Sequence, residues 1–206
     1  MNYKIYSFSN DDLHYDIKIY QKKVFDKFNI EINQIVWKKD FIKYGSSILN
    51  DGSIYSNNHP YFLDYIINND KSDYLIFFDV DCIPLSPLFL DKLLNEISDK
   101  NTLSGAIQSN RLGTYVSAYF VGFYKNLYFE CGSPPITDDN TDPFLKFTKS
   151  CTEHGKRINY WMPSHVERPP INGVTYENLI YHETMIRKQY NVEHFIKKCK
   201  LVLEEL

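Results

Sequence analysis

The sequence has no apolar run long enough to cross a membrane. No window approaches the roughly 18 apolar residues that a membrane span needs, and residues 1–9 hold no apolar stretch typical of a secretory signal. The four cysteines lie far apart and form neither a CxxC motif nor any other zinc-ligand spacing. These absences argue against membrane, secreted and zinc-finger proteins, and we expect a cytoplasmic protein with reduced thiols.

Basic residues are scattered rather than clustered. The net charge is −3, and the lysine pairs at 22–23, 38–39 and 197–198 form no block that would follow a phosphate backbone. Nucleic acid is therefore not an expected partner. Repeats, low-complexity segments and internal linkers are also absent from the sequence, so we expect residues 1–206 to form one domain.

Alternating strand and helix patterns predict an α/β fold. Residues 3–8 and 30–36 are rich in β-formers, and residues 17–28 between them have helical apolar spacing. A helix over 61–67 precedes the wholly apolar segment 74–78, which suits a strand covered on both faces. This order favours a mostly parallel sheet with crossover helices.

The second half of the chain continues with further helices and strands. The elements expected there are a helix over Leu88–Ile97, strands over 102–108 and 115–123, a helix from Asp142–Pro143 to about His154, and a closing helix from about Val192. The polar residues 9–12 predict a turn and a helix N-cap, and 43–58 predicts a loop.

The strongest functional signal is the segment SDYLIFFDVDCIPLSP at residues 72–87. Alternate residues of a strand point the same way, so Asp79 and Asp81 are expected to converge beyond the carboxyl end of a central strand. Two close carboxylates repel each other unless a cation lies between them, and Mg²⁺ or Mn²⁺ suits such oxygen ligands. The alternative is a polar strand end with two solvated aspartates.

Residues 57–94, and FFDVDCIPLSPLFLDKLL above all, resemble the nucleotide-binding core of the GT-A glycosyltransferases. The resemblance implies an α/β fold with a single GT-A-like (Rossmann-like) domain, whose mixed, mostly parallel sheet is flanked by helices. It further implies a nucleotide-binding half over 1–100 and an acceptor or catalytic half over 101–206. Such a protein would use a metal to move a sugar from a nucleotide-diphosphate sugar to an acceptor hydroxyl.

The same resemblance suggests roles for individual residues. Asp81 would ligate Mn²⁺ or Mg²⁺, Asp79 would contact the metal or the ribose, and His182 would supply a third ligand. For His182, a structural strand-end histidine is the competing interpretation. The remaining donor-binding candidates are Ser7, Ser9, His59 and Arg187.

The acidic segment with Asp138, Asp139 and Asp142 is the candidate source of a catalytic base. Members of the GT-A group that invert configuration need a carboxylate to accept the proton of the acceptor hydroxyl, and Asp142 fits by position. Asp142 also fits a helix N-cap, and a capping carboxylate is a weaker base, which favours Asp139. Both residues stay open as candidates.

Expected partners are a nucleotide-sugar donor and a carbohydrate or other hydroxyl acceptor, with a homo-oligomer as a way to complete a small acceptor site.

Three other functions are alternatives to the glycosyltransferase. A haloacid-dehalogenase-like phosphatase also uses Asp-x-Asp, but usually near the start of its chain. A nucleotidyltransferase normally carries a glycine-rich loop after its first strand, and SFSNDDLHYD has none. A non-catalytic carbohydrate-binding relic of the same fold is the non-enzyme alternative, and Trp161 is either an acceptor platform or a core residue.

Overall fold

The computed structural model describes residues 1–10, 13–37, 47–48, 54–55, 59–136, 142–184, 186 and 188–204. The strands are β1 (Tyr3–Asn10), β2 (Asn33–Trp37), β3 (Ser47–Ile48), β4 (Ile54–Tyr55), β5 (Tyr74–Asp79), β6 (Cys82–Pro84), β7 (Thr102–Asn110), β8 (Gly113–Tyr124), β9 (Arg157–Trp161), β10 (Pro163–Val166), β11 (Gly173–Tyr176) and β12 (Ile180–Glu183). The helices are α1 (Tyr15–Lys27), α2 (His59–Asn69), α3 (Leu88–Ile97), α4 (Lys125–Glu130), α5 (Leu145–Glu153) and α6 (Gln189–Glu204). None of these helices combines the length and the apolar character that a bilayer crossing requires.

A mixed six-stranded sheet in the order β2-β1-β5-β8-β7-β9 forms the centre of the molecule. β1 pairs in parallel with both β2 and β5, and β7 pairs in parallel with β9. β8 runs antiparallel to both of its neighbours, β5 and β7. Parallel pairings therefore outnumber antiparallel ones, and the predicted α/β class with a mixed, mostly parallel sheet is confirmed.

A second, antiparallel sheet joins the chain just after Asp81 to its C-terminal part. Its order is β10-β11-β12-β6. β6 follows β5 after a two-residue turn and pairs with β12, which places Ile180 opposite Pro84 and His182 opposite Cys82. This pairing brings two distant parts of the sequence to the same end of the central sheet.

Helices cover both faces of the central sheet, so β5 is buried throughout its apolar length. Leu75 and Phe77 belong to one core cluster, with side chains of α2 and α5, and Ile76 and Phe78 belong to another, with side chains of α1 and α3. A third cluster joins α1 and α6 to β6 and β12. The all-apolar pattern of 74–78 correctly indicated a strand covered on both sides.

Two expectations about polar helix starts were wrong. β1 continues to Asn10 because Ser9 and Asn10 pair with Val36 and Trp37 of β2, and α1 begins only at Tyr15, capped by His14. At α5 the N-cap position is Phe144, which adopts a positive φ of 69°. At β1 the pairing with β2 outweighed the preference of the polar residues for a helix N-cap. At α5 the side chain of Asp142 hydrogen bonds to Asn110 and Tyr115 instead of capping the helix.

Other boundaries shifted by a few residues. The second strand is Asn33–Trp37 rather than 30–36, and the closing helix begins at Gln189. α3 has the predicted bounds, whereas α4 was not predicted. Most of the predicted loop 43–58 lies outside the described residues; its described part forms the short pair β3 and β4.

Candidate active site

The segment from Asp79 to Cys82 makes a tight turn at the carboxyl end of β5. Asp79 is the last residue of β5, Val80 and Asp81 form the turn, and Cys82 begins β6. The two carboxylates therefore converge through the turn, and not by alternation along one continuous strand as the sequence suggested. The site lies at the carboxyl edge of the parallel strands, where open α/β sheets bind ligands.

His182 reaches the same point from the second sheet. The Glu183 amide N–H donates a 2.9 Å hydrogen bond to the carbonyl oxygen of Asp81, next to the His182–Cys82 pair. His182 Nε2 lies 3.5 Å from Asp81 Oδ1. One ligand atom from each of Asp79, Asp81 and His182 lies within 4.8 Å of the others, so the sequence-predicted metal ligands come together.

The electrostatics of this group favour a positive charge between its members. Asp81 and His182 are buried, and Asp79 is half-buried. Burial by itself lowers the pKa of His182, but the carboxylates of Asp81, Asp79 and Glu183 outweigh burial and raise it. A divalent cation would meet the same demand, and two carboxylates with one imidazole are suitable ligands for Mn²⁺ or Mg²⁺.

Gln21 of α1 holds the backbone of the turn. Its side-chain amide, which is fully buried, donates to the carbonyl oxygens of Asp79 at 2.8 Å and Cys82 at 2.9 Å. Its own carbonyl oxygen accepts a 3.0 Å hydrogen bond from the side chain of Gln34. Gln21 was not among the predicted residues, although a glutamine among the apolar positions of α1 was an available signal.

β12 is anchored from its opposite face by α6. The buried carboxylate of Glu183 accepts hydrogen bonds from Tyr181 Oη at 2.5 Å and from His194 Nδ1 at 2.7 Å. Gly173 of β11 lies against Tyr181, so close that a Cβ would approach its hydroxyl oxygen to 2.0 Å. This packing fixes the strand that carries His182, and none of it was predicted.

The donor-binding candidates fall partly within the described structure. Ser7 and Ser9 are buried in β1, where the intervening Phe8 lies opposite Asp79 in the ladder. Ser7 Oγ makes no hydrogen bond to the described residues. His59 is the first residue of α2, and its side chain lies outside the description, as does all of Arg187.

Asp142 takes part in a hydrogen-bond cluster instead of capping α5. Its Oδ2 atom accepts hydrogen bonds from Asn110 Nδ2 at 2.6 Å and from Tyr115 Oη at 2.5 Å. Burial first, and then the Asp142 carboxylate, raise the pKa of Tyr115, so its hydroxyl remains a donor. Asp138 and Asp139 lie outside the described residues.

Trp161 is a core residue rather than an acceptor platform. It is fully buried, and its indole N–H donates to Glu96 Oε2 at 2.8 Å and Ser104 Oγ at 3.1 Å.

The four cysteines are buried free thiols, as expected for reduced cysteine.

Comparison with known proteins was informative only at the level of structure. No family model and no curated protein matches the sequence. A mutant beta-1,4-galactosyltransferase 7 from Drosophila, solved with manganese, UDP-Gal and xylobiose, aligns with a TM-score of 0.54 and 11% identity, covering 94% of this chain and 74% of that one. The catalytic domain of the same enzyme with xylobiose gives a TM-score of 0.50 and 12% identity, over 91% of this chain and 80% of that one.

These alignments show that the chain has the GT-A fold, as the resemblance in the sequence implied. A putative glucose-1-phosphate thymidylyltransferase from Bacillus anthracis also aligns, with a TM-score of 0.47, 8% identity, and coverage of 99% of this chain and 96% of that one. At the 11–12% identity of the two galactosyltransferase structures, the feature shared with this chain is the fold.

Proposed function

We propose that this protein is a metal-dependent glycosyltransferase that moves a sugar from a nucleotide-diphosphate donor to an acceptor hydroxyl. The observation that carries the proposal is the convergence of Asp79, Asp81 and His182 at the carboxyl edge of the sheet. The similarly folded galactosyltransferase, which was solved with manganese and UDP-Gal, supports the same kind of donor.

Each residue of the group would have a defined task. Asp81 and His182 would bind Mn²⁺ or Mg²⁺, with Asp79 as a further ligand or a ribose contact, and Gln21 would hold the turn in shape. The bound ion would stabilise the negative charge of the departing nucleoside diphosphate. Ser7, Ser9, His59 and Arg187 remain the proposed donor contacts, with most of the donor site in residues 1–100.

Asp142 is the base that the described residues support best. The hydrogen bonds from Asn110 and Tyr115 both go to Asp142 Oδ2, and neither of them involves Oδ1. β8 runs past the end of β5, because Phe120 pairs with Phe78, so Tyr115 lies beyond the edge that carries Asp79. Asp142 would therefore accept the acceptor's proton through Oδ1 at the same edge as the metal ligands, in an inverting reaction.

The decisive experiment is calorimetric binding of UDP-sugars and other nucleotide sugars with and without Mn²⁺. We expect metal-dependent binding by the wild-type protein, and stabilisation against heat by about 2.7 kcal/mol at a ligand concentration of 100 times Kd. Asp81→Asn should weaken Mn²⁺ binding by more than the roughly 10–100-fold typical of losing an outer partner of a ligand. The matched control is Asp91→Asn, the same change at an exposed position of α3, which should bind as the wild type does.

Two outcomes would contradict the proposal. Binding of a nucleoside diphosphate with the same metal dependence in Asp81→Asn and the wild type would remove the metal site from the mechanism. Hydrolysis of a phosphate monoester without any nucleotide-sugar binding would instead favour the phosphatase.

A further inference from the structure

The imidazole of His182 lies flat against the phenol ring of Tyr119. The ring centroids are 4.1 Å apart and the planes differ by 13°. Both side chains are buried, and Nε2 is the nitrogen that faces Asp81. His182 Nδ1 is buried and makes no hydrogen bond to any residue of the described structure.

This environment differs from that of most metal-binding histidines. Such a histidine usually donates its second ring N–H to a carboxylate, a carbonyl or water, and that hydrogen bond fixes the plane of the ring. Within the described residues His182 has no such bond at Nδ1, so apart from the Asp81 contact at Nε2 it is the stacked ring that orients the imidazole.

We propose that Tyr119 is the positioning residue of the metal centre, and that its aromatic face takes the place of the second hydrogen bond in orienting His182. The inference rests on the proposed role of His182 as a metal ligand. It assigns the effect to the ring of Tyr119, while the hydroxyl group serves only to hold that ring.

Tyr119 is itself fixed to both sheets. Its hydroxyl donates to the carbonyl oxygen of Ile107 in β7 at 3.0 Å, and lies 2.7 Å from the hydroxyl of Tyr176 in β11. Since a carbonyl oxygen can only accept, the single proton of Tyr119 goes to Ile107, and Tyr176 donates to Tyr119. Burial raises the pKa of Tyr176 to about 12, so its proton is retained at neutral pH.

Three variants separate the ring from its hydroxyl. Tyr119→Phe keeps the aromatic face, Tyr119→Leu removes it, and Tyr119→Met removes it with a longer, unbranched side chain of similar volume to leucine. We expect Mn²⁺ affinity, measured by electron paramagnetic resonance, to change by less than about threefold in the Phe variant. In the Leu and Met variants we expect it to fall by roughly 10–100-fold, the loss typical of removing an orienting partner.

A readout without metal tests the stacking directly. In NMR spectra of the metal-free protein, the His182 ring protons should be shifted upfield by the Tyr119 ring current in the wild type and in Tyr119→Phe. That shift should disappear in Tyr119→Leu and Tyr119→Met.

The matched control is Tyr128→Leu, the same substitution at a buried tyrosine of α4 that hydrogen bonds to Asp64. It should lower stability but leave both the His182 signals and the Mn²⁺ affinity unchanged. A loss of affinity in this control equal to that of Tyr119→Leu would reduce the effect to general destabilisation and overturn the inference.

Other results separate this inference from the proposed function. If the wild-type protein has no Mn²⁺ affinity, the proposed function fails and the role of Tyr119 fails with it. If the wild type binds Mn²⁺ and the Leu or Met variant binds it equally well, only the role of Tyr119 is wrong. A Phe variant as impaired as the Leu variant would assign the effect to the hydroxyl group and also overturn the inference.

Discussion

The side-chain amide of Gln21 donates a 2.8 Å hydrogen bond to the carbonyl oxygen of Asp79, the residue at which β5 ends. The same amide donates to Cys82, so one buried side chain spans both ends of the turn that contains Asp81. Because β5 and β6 belong to different sheets, this side chain links the last residue of one sheet's strand to the first residue of the other's. Through Gln21, the position of α1 therefore influences the positions of the proposed metal ligands Asp79 and Asp81.

Replacing Gln21 with methionine keeps the length of the side chain but removes both donors. We expect the free energy of unfolding to fall by about 2–6 kcal/mol, since each of the two carbonyl groups left without this donor costs about 1–3 kcal/mol. Mn²⁺ affinity should fall as well, measured by calorimetry at a temperature where the variant is folded.

The control for this change is Gln189→Met on the exposed start of α6, which should alter stability by less than about 0.5 kcal/mol. A folded Gln21→Met protein with wild-type Mn²⁺ affinity would show that the turn keeps its shape without the glutamine.

Asp142→Asn separates catalysis from donor binding. If Asp142 is the base, turnover should fall by about 10²–10⁴-fold, because an amide cannot accept the proton. Binding of the nucleotide sugar should stay within about twofold of the wild type, since the metal ligands are intact.

Near-normal turnover of Asp142→Asn would exclude Asp142 as the base and direct attention to Asp138 and Asp139. If variants of all three residues stay active, NMR analysis of the product anomer would show whether the reaction retains configuration. The Asp91→Asn variant again serves as the control.

Asp70 should make the stability of the protein sensitive to acid. Burial alone would raise the pKa of its carboxyl group, but hydrogen bonds from Tyr6, Ser72 and Lys4 outweigh burial and hold that pKa well below its usual range. An unfolded aspartate has a pKa of about 3.9, so the folded state binds fewer protons near that pH. The stabilisation is therefore complete above about pH 5 and is lost as the pH falls through the unfolded value toward the lower, folded-state pKa.

We expect Asp70→Asn to lower the free energy of unfolding by about 1–3 kcal/mol at pH 7, with a smaller difference from the wild type at pH 3. Urea denaturation at both pH values measures this. Asp26→Asn, which removes an exposed partner of Lys22, should have an effect below about 0.5 kcal/mol. A difference between Asp70→Asn and wild type that is equal at both pH values would contradict the explanation.

Gly173→Ala tests the packing behind β12. The added Cβ would approach the buried hydroxyl oxygen of Tyr181 to 2.0 Å, so either that ring or β11 must move. We expect the free energy of unfolding, measured by thermal denaturation, to fall by about 1–3 kcal/mol, the usual cost of overpacking a core.

Gly155→Ala is the contrasting control, because Gly155 has a positive φ of 64° but open space around the position of a Cβ. The free energy of unfolding should fall only by the cost of holding alanine at a positive φ, about 1–2 kcal/mol. Equal stability of Gly173→Ala and the wild type would show that Tyr181 can move without loss.

The sequence was most informative where a signal was local. The apolar run before Asp79 predicted a doubly covered strand, and α3 followed from helical spacing alone. His182 was suggested only by the family resemblance, and the structure brings it to Asp81. The position of Gln21 among the apolar residues of α1 signalled a buried polar group, but its role and that of Tyr119 depend on packing between elements that are distant in the sequence. Asp142 was a candidate base from the sequence, but its hydrogen bonds from Asn110 and Tyr115, which take the place of the expected helix cap, depend on the same kind of packing.

The pairing of β12 with β6 also determines which chemical group faces the aspartates. Successive strand residues face opposite sides, so a shift of one position would put Tyr181 or Glu183 in place of His182. A phenol at this position would be a poor ligand, whereas a third carboxylate would give an all-oxygen set, the ligand type that Mg²⁺ and Ca²⁺ prefer. A single insertion or deletion in the turn at 177–179 could therefore change the metal preference in one evolutionary step, with the Asp-Val-Asp motif untouched.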